Sequence, residues 1–434
     1  MQRSIWCNSA WAGLILATRL VTGCSSDNPL GFNDSLQTLT EAAYTYQRPD
    51  GNRFVSGQGA LPNTEPLDIP LSGSPQWVVA APVDEGSVWA VVLSNGRVQA
   101  FDIFEGEVTP VTITPDRLPP GTPPLLAIND NGEAKLANVL DIGASLLTHP
   151  TFLDKREGRL AYIESSGSLV IQSELVTTRL PVNALPDARI LTDENERLLL
   201  LTDPTGRYAH GVLGDAVGAA SITLVETRPI PRVALKITIP DPAVVEGVAP
   251  IWADLTGDGV REIIVTLSDA KQGAQIAAFS ETGQQIATGP AIGRGFRWRH
   301  QLAVAPFGIG SDLELVSVRT PHIGGTVEFF QSALNTLNIA AQESGYTSHV
   351  LASRNLDMAV AGDFDGEGQI ELLLPNQALT ELGAIRRTTN GAQLAWSVRV
   401  GGRVRTNLAA VTLTDNRIAV GVGDDRQMLR IWLP

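Results

Sequence analysis

A repeat of short apolar strands constrains this chain more than any other feature. APIWADLTGDGVREIIVTLSD opens at Ala249, LAVAPFGIGSDLELVSVRT at Leu302, MAVAGDFDGEGQIELLLPN at Met358 and LAAVTLTDNRIAVGVGDD at Leu408. The starts are 53, 56 and 50 residues apart, room for about four strands of ordinary length with their turns. Each unit begins with a small-residue strand, passes a turn rich in Asp and Gly, and runs into an aliphatic strand such as EIIVTL, LELVSV or IELLLP. Weaker echoes start near Trp77, Leu125, Pro150 and Ala188.

The strands are apolar on both faces. In VWAVVLSNGRVQAF, Val88, Ala90 and Val92 fall on one side and Trp89 and Val91 on the other. Such a strand is covered on both sides, as in stacked sheets. The intervening SNG, SSG, DPTG and ETG supply the residues tight turns need. The reading is an all-β chain whose units stack as the blades of a β-propeller. Seven blades fit the period, and six or eight are compatible because residues 118–148 hold only a partial unit. The last unit stops after three strands at Trp432, and a strand at 67–71 (LDIPL) is placed to complete it and remove the open edge. An open β-solenoid is the structural alternative.

The chain has 32 basic against 46 acidic residues, a net charge of -14, which argues against nucleic acid as a partner. Its 2 cysteines, Cys7 and Cys24, lie near the start, so no disulfide framework holds the body. Residues 1–23 read as an export signal, with a mostly apolar run ending in Val21-Thr22-Gly23-Cys24. That ending resembles a bacterial lipobox, with Arg19 inside the apolar run as a departure. The resemblance implies lipidation of Cys24 and anchoring in the cell envelope on the extracytoplasmic side, the leaflet left open; an ordinary secretory peptide is the other reading. Residues 24–66 read as a flexible tether and 67–434 as the propeller domain.

Two turns carry chemistry beyond punctuation. Asp254, Thr256, Asp258, Val260 and Glu262 occupy positions 1, 3, 5, 7 and 9 of one loop; Asp363, Asp365, Glu367, Gln369 and Glu371 occupy them in another, 109 residues on. Oxygen-bearing side chains alternate with glycines, and the carbonyl of Val260 or Gln369 can turn inward. Hard oxygen donors on a tight loop suit Ca²⁺. These units resemble the FG-GAP/VCBS-type repeats of integrin α-subunit propellers and secreted bacterial proteins, clearest over 249–434. The resemblance implies two structural Ca²⁺ sites at these residues. Thr256 and Glu367 depart from the stronger ligands of that pattern. The loop from Pro306 to Glu314 keeps the glycines and loses most ligands, and reads as a metal-free copy.

A local basic cluster stands out on so acidic a chain. Arg294, Phe296, Arg297, Trp298 and Arg299 precede one unit's first strand, and Arg403 and Arg405 precede another's. Connections between units share one propeller face, so both groups are expected there as a ligand patch for an envelope protein or glycan; pairing with the chain's own carboxylates is the other possibility. The five histidines show no zinc-like spacing, and no nucleophile elbow, HExxH or nucleotide-binding glycine motif occurs. No catalytic residue is assigned. The expected function is a membrane-anchored, calcium-stabilised binding or scaffold module, monomeric or in a hetero-complex. The alternative is a polysaccharide hydrolase or lyase acting at the channel mouth.

Overall fold

The computed structural model describes residues 39–84, 86–137, 143–154, 158–173 and 175–434; the leader and Cys24 lie outside them. Among the described residues there are strands and turns and no α-helix. Antiparallel meanders follow one another along the chain. The first pairs Pro75–Val83, Gly86–Leu93, Val98–Phe104 and Glu107–Val111. Next come Leu125–Asn129 with Ala134–Leu136, then four strands spanning 151–180 and four spanning 191–238. Units spanning 251–288, 299–344 and 360–399 repeat the pattern. The final three strands are Ala409–Thr412, Ile418–Gly423 and Met428–Trp432.

The last unit takes its fourth strand from the N-terminal side: Leu67–Pro70 pairs antiparallel with Met428–Trp432, in the position the sequence suggests. Residues 39–66 are not a tether. Leu39–Tyr44 pairs with Leu125–Asn129 and completes the shortest unit, while Phe54–Gln58 runs parallel to Val360–Asp363. The segment is polar because it spends itself on backbone pairing, and polarity alone reads as a linker.

Apolar faces are buried between neighbouring units. Trp77, Ala90 and Val92 pack with Leu126, Ile128 and Leu136, and Val304, Leu315 and Phe330 with Ile251, Ile264 and Ile276. Val78, Trp89 and Val91 of the first unit share a core with Ala409, Ala419 and Ile431 of the last. There the strand carries Gly421, where a Cβ would stand 2.2 Å from the Trp89 ring. Only a bare backbone lets that indole seat flat. In the SNG turn, Gly96 takes φ 84° and closes the hairpin through its amide on the Leu93 carbonyl, 2.8 Å.

Between Leu39–Tyr44 and Phe54–Gln58, residues 45–53 cross the edges of the first strands of several units. The Thr192 amide bonds the Pro49 carbonyl (2.9 Å), Trp252 the Asp50 carbonyl (3.0 Å) and Ala361 the Arg53 carbonyl (2.8 Å). Asn52 exchanges two bonds with Val304, at 2.8 and 2.9 Å. A buried crossing must satisfy its backbone this way. At its centre Asp357, 1% exposed, receives Arg189 through both terminal guanidinium nitrogens (2.8 and 2.6 Å), Arg53 (2.9 Å) and the Thr45 hydroxyl (3.0 Å). Burial alone would raise the pKa of Asp357; Arg189 and then Arg53 more than offset it, and the group stays below the usual carboxylate range.

Candidate metal loops and the ligand face

The two acidic loops differ. In the loop after Val360–Asp363, one oxygen each of Asp363, Asp365 and Glu371 lie within 4.8 Å of one another. Two oxygens bound at 2.3–2.6 Å to one Ca²⁺ stand at most about 5 Å apart, so the set fits that ion. Asp363 accepts the Gly368 amide on Oδ2 at 3.1 Å and is also faced by the Gly366 amide, while its buried Oδ1 makes no hydrogen bond of full geometry. A buried carboxylate oxygen so placed is costly unless a cation meets it. Glu371 opens the next strand and is pushed up to about 7, by burial first and against the pull of Arg386, with the Asp365 charge adding to the rise. Burial likewise raises Asp363.

Arg386 now serves these carboxylates. Its guanidinium reaches Asp365, Glu367 (3.1 Å) and Glu371 (2.8 Å from Nε). A divalent ion at the triad would share those oxygens with it or displace it. Glu367 and Gln369 are exposed at the loop tip.

The loop at 254–262 is closed on itself. Asp254 spends both oxygens on the amides of Gly257 (2.6 Å) and Gly259 (2.9 Å). Asp258 turns to the Val260 amide at 2.8 Å, and Val260 is 52% exposed. Glu262 accepts the Leu255 amide at 2.7 Å and the Thr256 hydroxyl at 3.4 Å, and burial raises its pKa, with Asp254 and Asp258 adding to it. Among the described residues only the Asp363 loop gathers three ligand oxygens. In the loop from Pro306 to Glu314, Glu314 is fully buried and pairs with Arg387 at 2.8 Å across to the next unit.

The basic cluster splits. Trp298, at 2% exposure, belongs to a satellite core with Val212, Leu213, Val248 and Leu356 and is not a surface platform. Arg299 is buried and bonded to Glu328 at 2.8 Å, so it too leaves the expected patch. Trp298 borders the strand Arg299–Ala305 and Arg299 opens it; successive side chains point to opposite faces, and both faces of this strand are buried. Arg294, Phe296 and Arg297 remain exposed. The Phe296 ring lies on His210 (centroids 5.4 Å, 23° between planes) and beside Tyr208 (5.3 Å). His210 is held by Glu246, which also bonds Ser268. Arg403 and Arg405 are exposed on another connection, where Arg403 helps line a cavity of about 410 Å³ with Arg399, Arg426 and Asp425. No contact joins the two arginine groups among the described residues.

Sequence spacing gave no sign of a histidine group that the fold assembles. His300, His322 and His349 come from three successive passes of the chain and meet around Trp298. Their only sequence signal is that each sits on a connection or strand end of the same region. A second cavity, about 380 Å³, lies against the N-terminal strands, lined by Glu41, Gln47, Arg48, Phe54, Ala80 and Thr412 among others, with Glu41 its one carboxylate.

No protein-family model matches the chain, and no curated protein matches it. Solved structures do. A chain of the Crystal Structure of Mitotic Checkpoint Complex aligns with a TM-score of 0.43 at 13% identity, covering 86% of this chain and 95% of that one. A europium-containing methanol dehydrogenase aligns with a TM-score of 0.51 at 10% identity, over 90% of each chain. The second likeness shows the fold alone: an all-β chain of the β-propeller kind.

Proposed function

We propose that this chain is a calcium-stabilised β-propeller of eight blades, closed as a ring, that acts as a binding or scaffold module in the bacterial cell envelope. The closed count, one above the seven suggested by the repeat period, is supported by the core shared between the 75–111 and 409–432 units and by the Leu67–Pro70 strand that completes the latter. FG-GAP/VCBS-like character rests on the two loops and their placement between first and second strands of a unit. Anchoring through Cys24 rests on the lipobox-like residues of the leader.

The observation that carries the calcium reading is the triad Asp363, Asp365 and Glu371, with an Asp363 Oδ1 that makes no full hydrogen bond. The ion's work there is structural: it offsets clustered carboxylates and pins a loop. A glycosidase needs two carboxyl groups flanking its bond. The cavity beside the crossing segment offers Glu41 alone, but two other cavities each line a pair, Glu105 with Asp415 and Glu381 with Asp425, and these are where the hydrolase alternative would act. The exposed Phe296, rigidly backed by His210 and flanked by Arg294 and Arg297, is the surface through which a protein or glycan is held.

The test is retention of the purified chain on immobilised envelope polysaccharides and on solubilised envelope proteins, in Ca²⁺ and in chelator. The expected result is retention in Ca²⁺ that is lost in the Arg294→Ala/Arg297→Ala variant. Equal retention of the variant, or release of reducing sugar from the polysaccharides, overturns the binding reading.

A further inference from the structure

Three of the five histidines, His300, His322 and His349, surround the buried Trp298. His300 stacks on its indole at 4.6 Å and bonds Ser348 Oγ at 2.9 Å, which commits that ring to packing. The other two face each other: His322 Nε2 lies 2.7 Å from His349 Nδ1. His349 is 2% exposed, and its Nε2–H donates to the Ser353 carbonyl. That bond fixes the tautomer, so the His349 Nδ1 carries a lone pair and His322 Nε2 donates to it. A backbone carbonyl holding the far N–H of an imidazole is the arrangement that orients metal-ligating histidines.

We propose that His322 and His349 form a binding site for a borderline divalent transition metal, Zn²⁺ or Cu²⁺, distinct from the carboxylate loops. Two imidazole nitrogens about 2.1 Å from one ion at tetrahedral or square angles stand about 3.0–3.4 Å apart. The pair opens by only a few tenths of an ångström to admit it. His322 can make that movement, because it is half-buried on the turn after Arg319, beside Ile323, which is 76% exposed. On binding, the His322 proton passes from Nε2 to Nδ1, freeing the second lone pair without altering the charge of either ring. The remaining positions of the ion would be filled by water entering on the half-exposed His322 side. Imidazole selects these metals over Ca²⁺, which takes oxygen ligands.

The experiment titrates tag-free protein with Zn²⁺ calorimetrically in excess Ca²⁺, which keeps this site separate from the loops whatever those do. A Cu²⁺ sample is read by electron paramagnetic resonance. The expected result is one saturable equivalent of Zn²⁺, weakened at least tenfold in His322→Ala, with nitrogen hyperfine structure from two imidazoles in the wild type and not in the variant. His349→Ala empties a buried position and can fail to fold; His322→Ala, half-exposed, keeps the test decisive, and its metal-free melting temperature is the folding control. No saturable Zn²⁺ in the wild type, or equal affinity in His322→Ala, overturns the proposal. A positive result leaves the calcium reading to its own test.

Discussion

Replacing Asp357 with Asn removes one charge from a site that two buried guanidinium groups share. Asp357 and Arg189 are each 1% exposed, and Arg53 is 4%. The Asn amide presents N–H groups to Arg189 where a carboxylate oxygen stood at 2.6 Å. Burial already lowers Arg53 to about 10, and Asp357 is the charge that supports it. Breaking a buried ion pair from one side costs about 3–5 kcal/mol, because the stranded charge stays desolvated. Roughly 400 ordered residues at about 2.1 cal/mol/K each give an unfolding entropy near ~0.8 kcal/mol/K, so the melting temperature should fall by about 4–6 °C. Differential scanning fluorimetry or calorimetry reads this directly. The exposed pair of Asp68 with Arg430 is the control: Asp68→Asn should move the melt by less than about 1 °C, as surface pairs contribute about 0–1 kcal/mol. A melt for Asp357→Asn as close to wild type as the control's would refute the claim that the crossing segment is locked at this point. The acid limb follows with its sign. A carboxylate held below its unfolded value contributes stability that is present above about pH 4 and is lost as pH falls through the folded value. The Asn variant should therefore lose less stability on acidification than the wild type.

Further expectations concern packing and the acidic loop. Gly421→Ala drives a Cβ into the Trp89 ring and should cost about 1–3 kcal/mol by overpacking, read as a lowered urea midpoint with unchanged slope. Deleting residues through Gln58 removes a strand from each of two units and the crossing between them, and should give a chain with lost near-ultraviolet circular dichroism; a native melt would contradict the assignment of 39–58 to the fold. In chelator, Glu371 binds its proton more tightly folded than unfolded, so the stability it contributes is full below about pH 4.5 and declines as pH rises through about 7. Stabilisation by Ca²⁺ should accordingly grow across that range, and Glu371→Gln should flatten the dependence. A wild-type pH dependence in the variant would sink that assignment.

Architecture was legible in the sequence wherever period and composition spoke together. The strands apolar on both faces, such as Val88 to Val92, are buried throughout. The 67–71 segment pairs where its position at the end of the truncated last unit placed it. Residues 39–58 were not legible, because a chain that crosses strand edges uses backbone groups and polar side chains such as Asn52, and leaves no apolar alternation to read. Arg299 illustrates the same difficulty. A guanidinium in an acidic chain reads as surface, and only the register of Arg299–Ala305 against Glu314–Arg319 reveals that it points to Glu328. The two acidic loops look alike as strings, yet the Asp254 carboxylate is closely held by Gly257 and Gly259 while Asp363 keeps one oxygen without a full hydrogen bond and gathers Asp365 and Glu371 beside it. Which oxygens remain free depends on backbone wrapping that residue spacing does not encode. The histidines around Trp298 were illegible for a simpler reason: His300, His322 and His349 lie on separate passes of the chain, and their meeting is a property of the fold.

On the reading proposed above, the Asp363 loop holds Ca²⁺ and the ion stabilises the propeller. Calorimetric titration of Ca²⁺ into chelator-treated protein, with thermal melts before and after, tests it most directly when wild type and Asp363→Asn are run side by side. The expected result is saturable heat and a raised melting temperature in the wild type, growing with ion concentration as ligand linkage requires, and the loss of both in the variant. Absent heat and an unmoved melt in the wild type, or an unchanged response in Asp363→Asn, would contradict it and reduce the loop to a turn neutralised by Arg386.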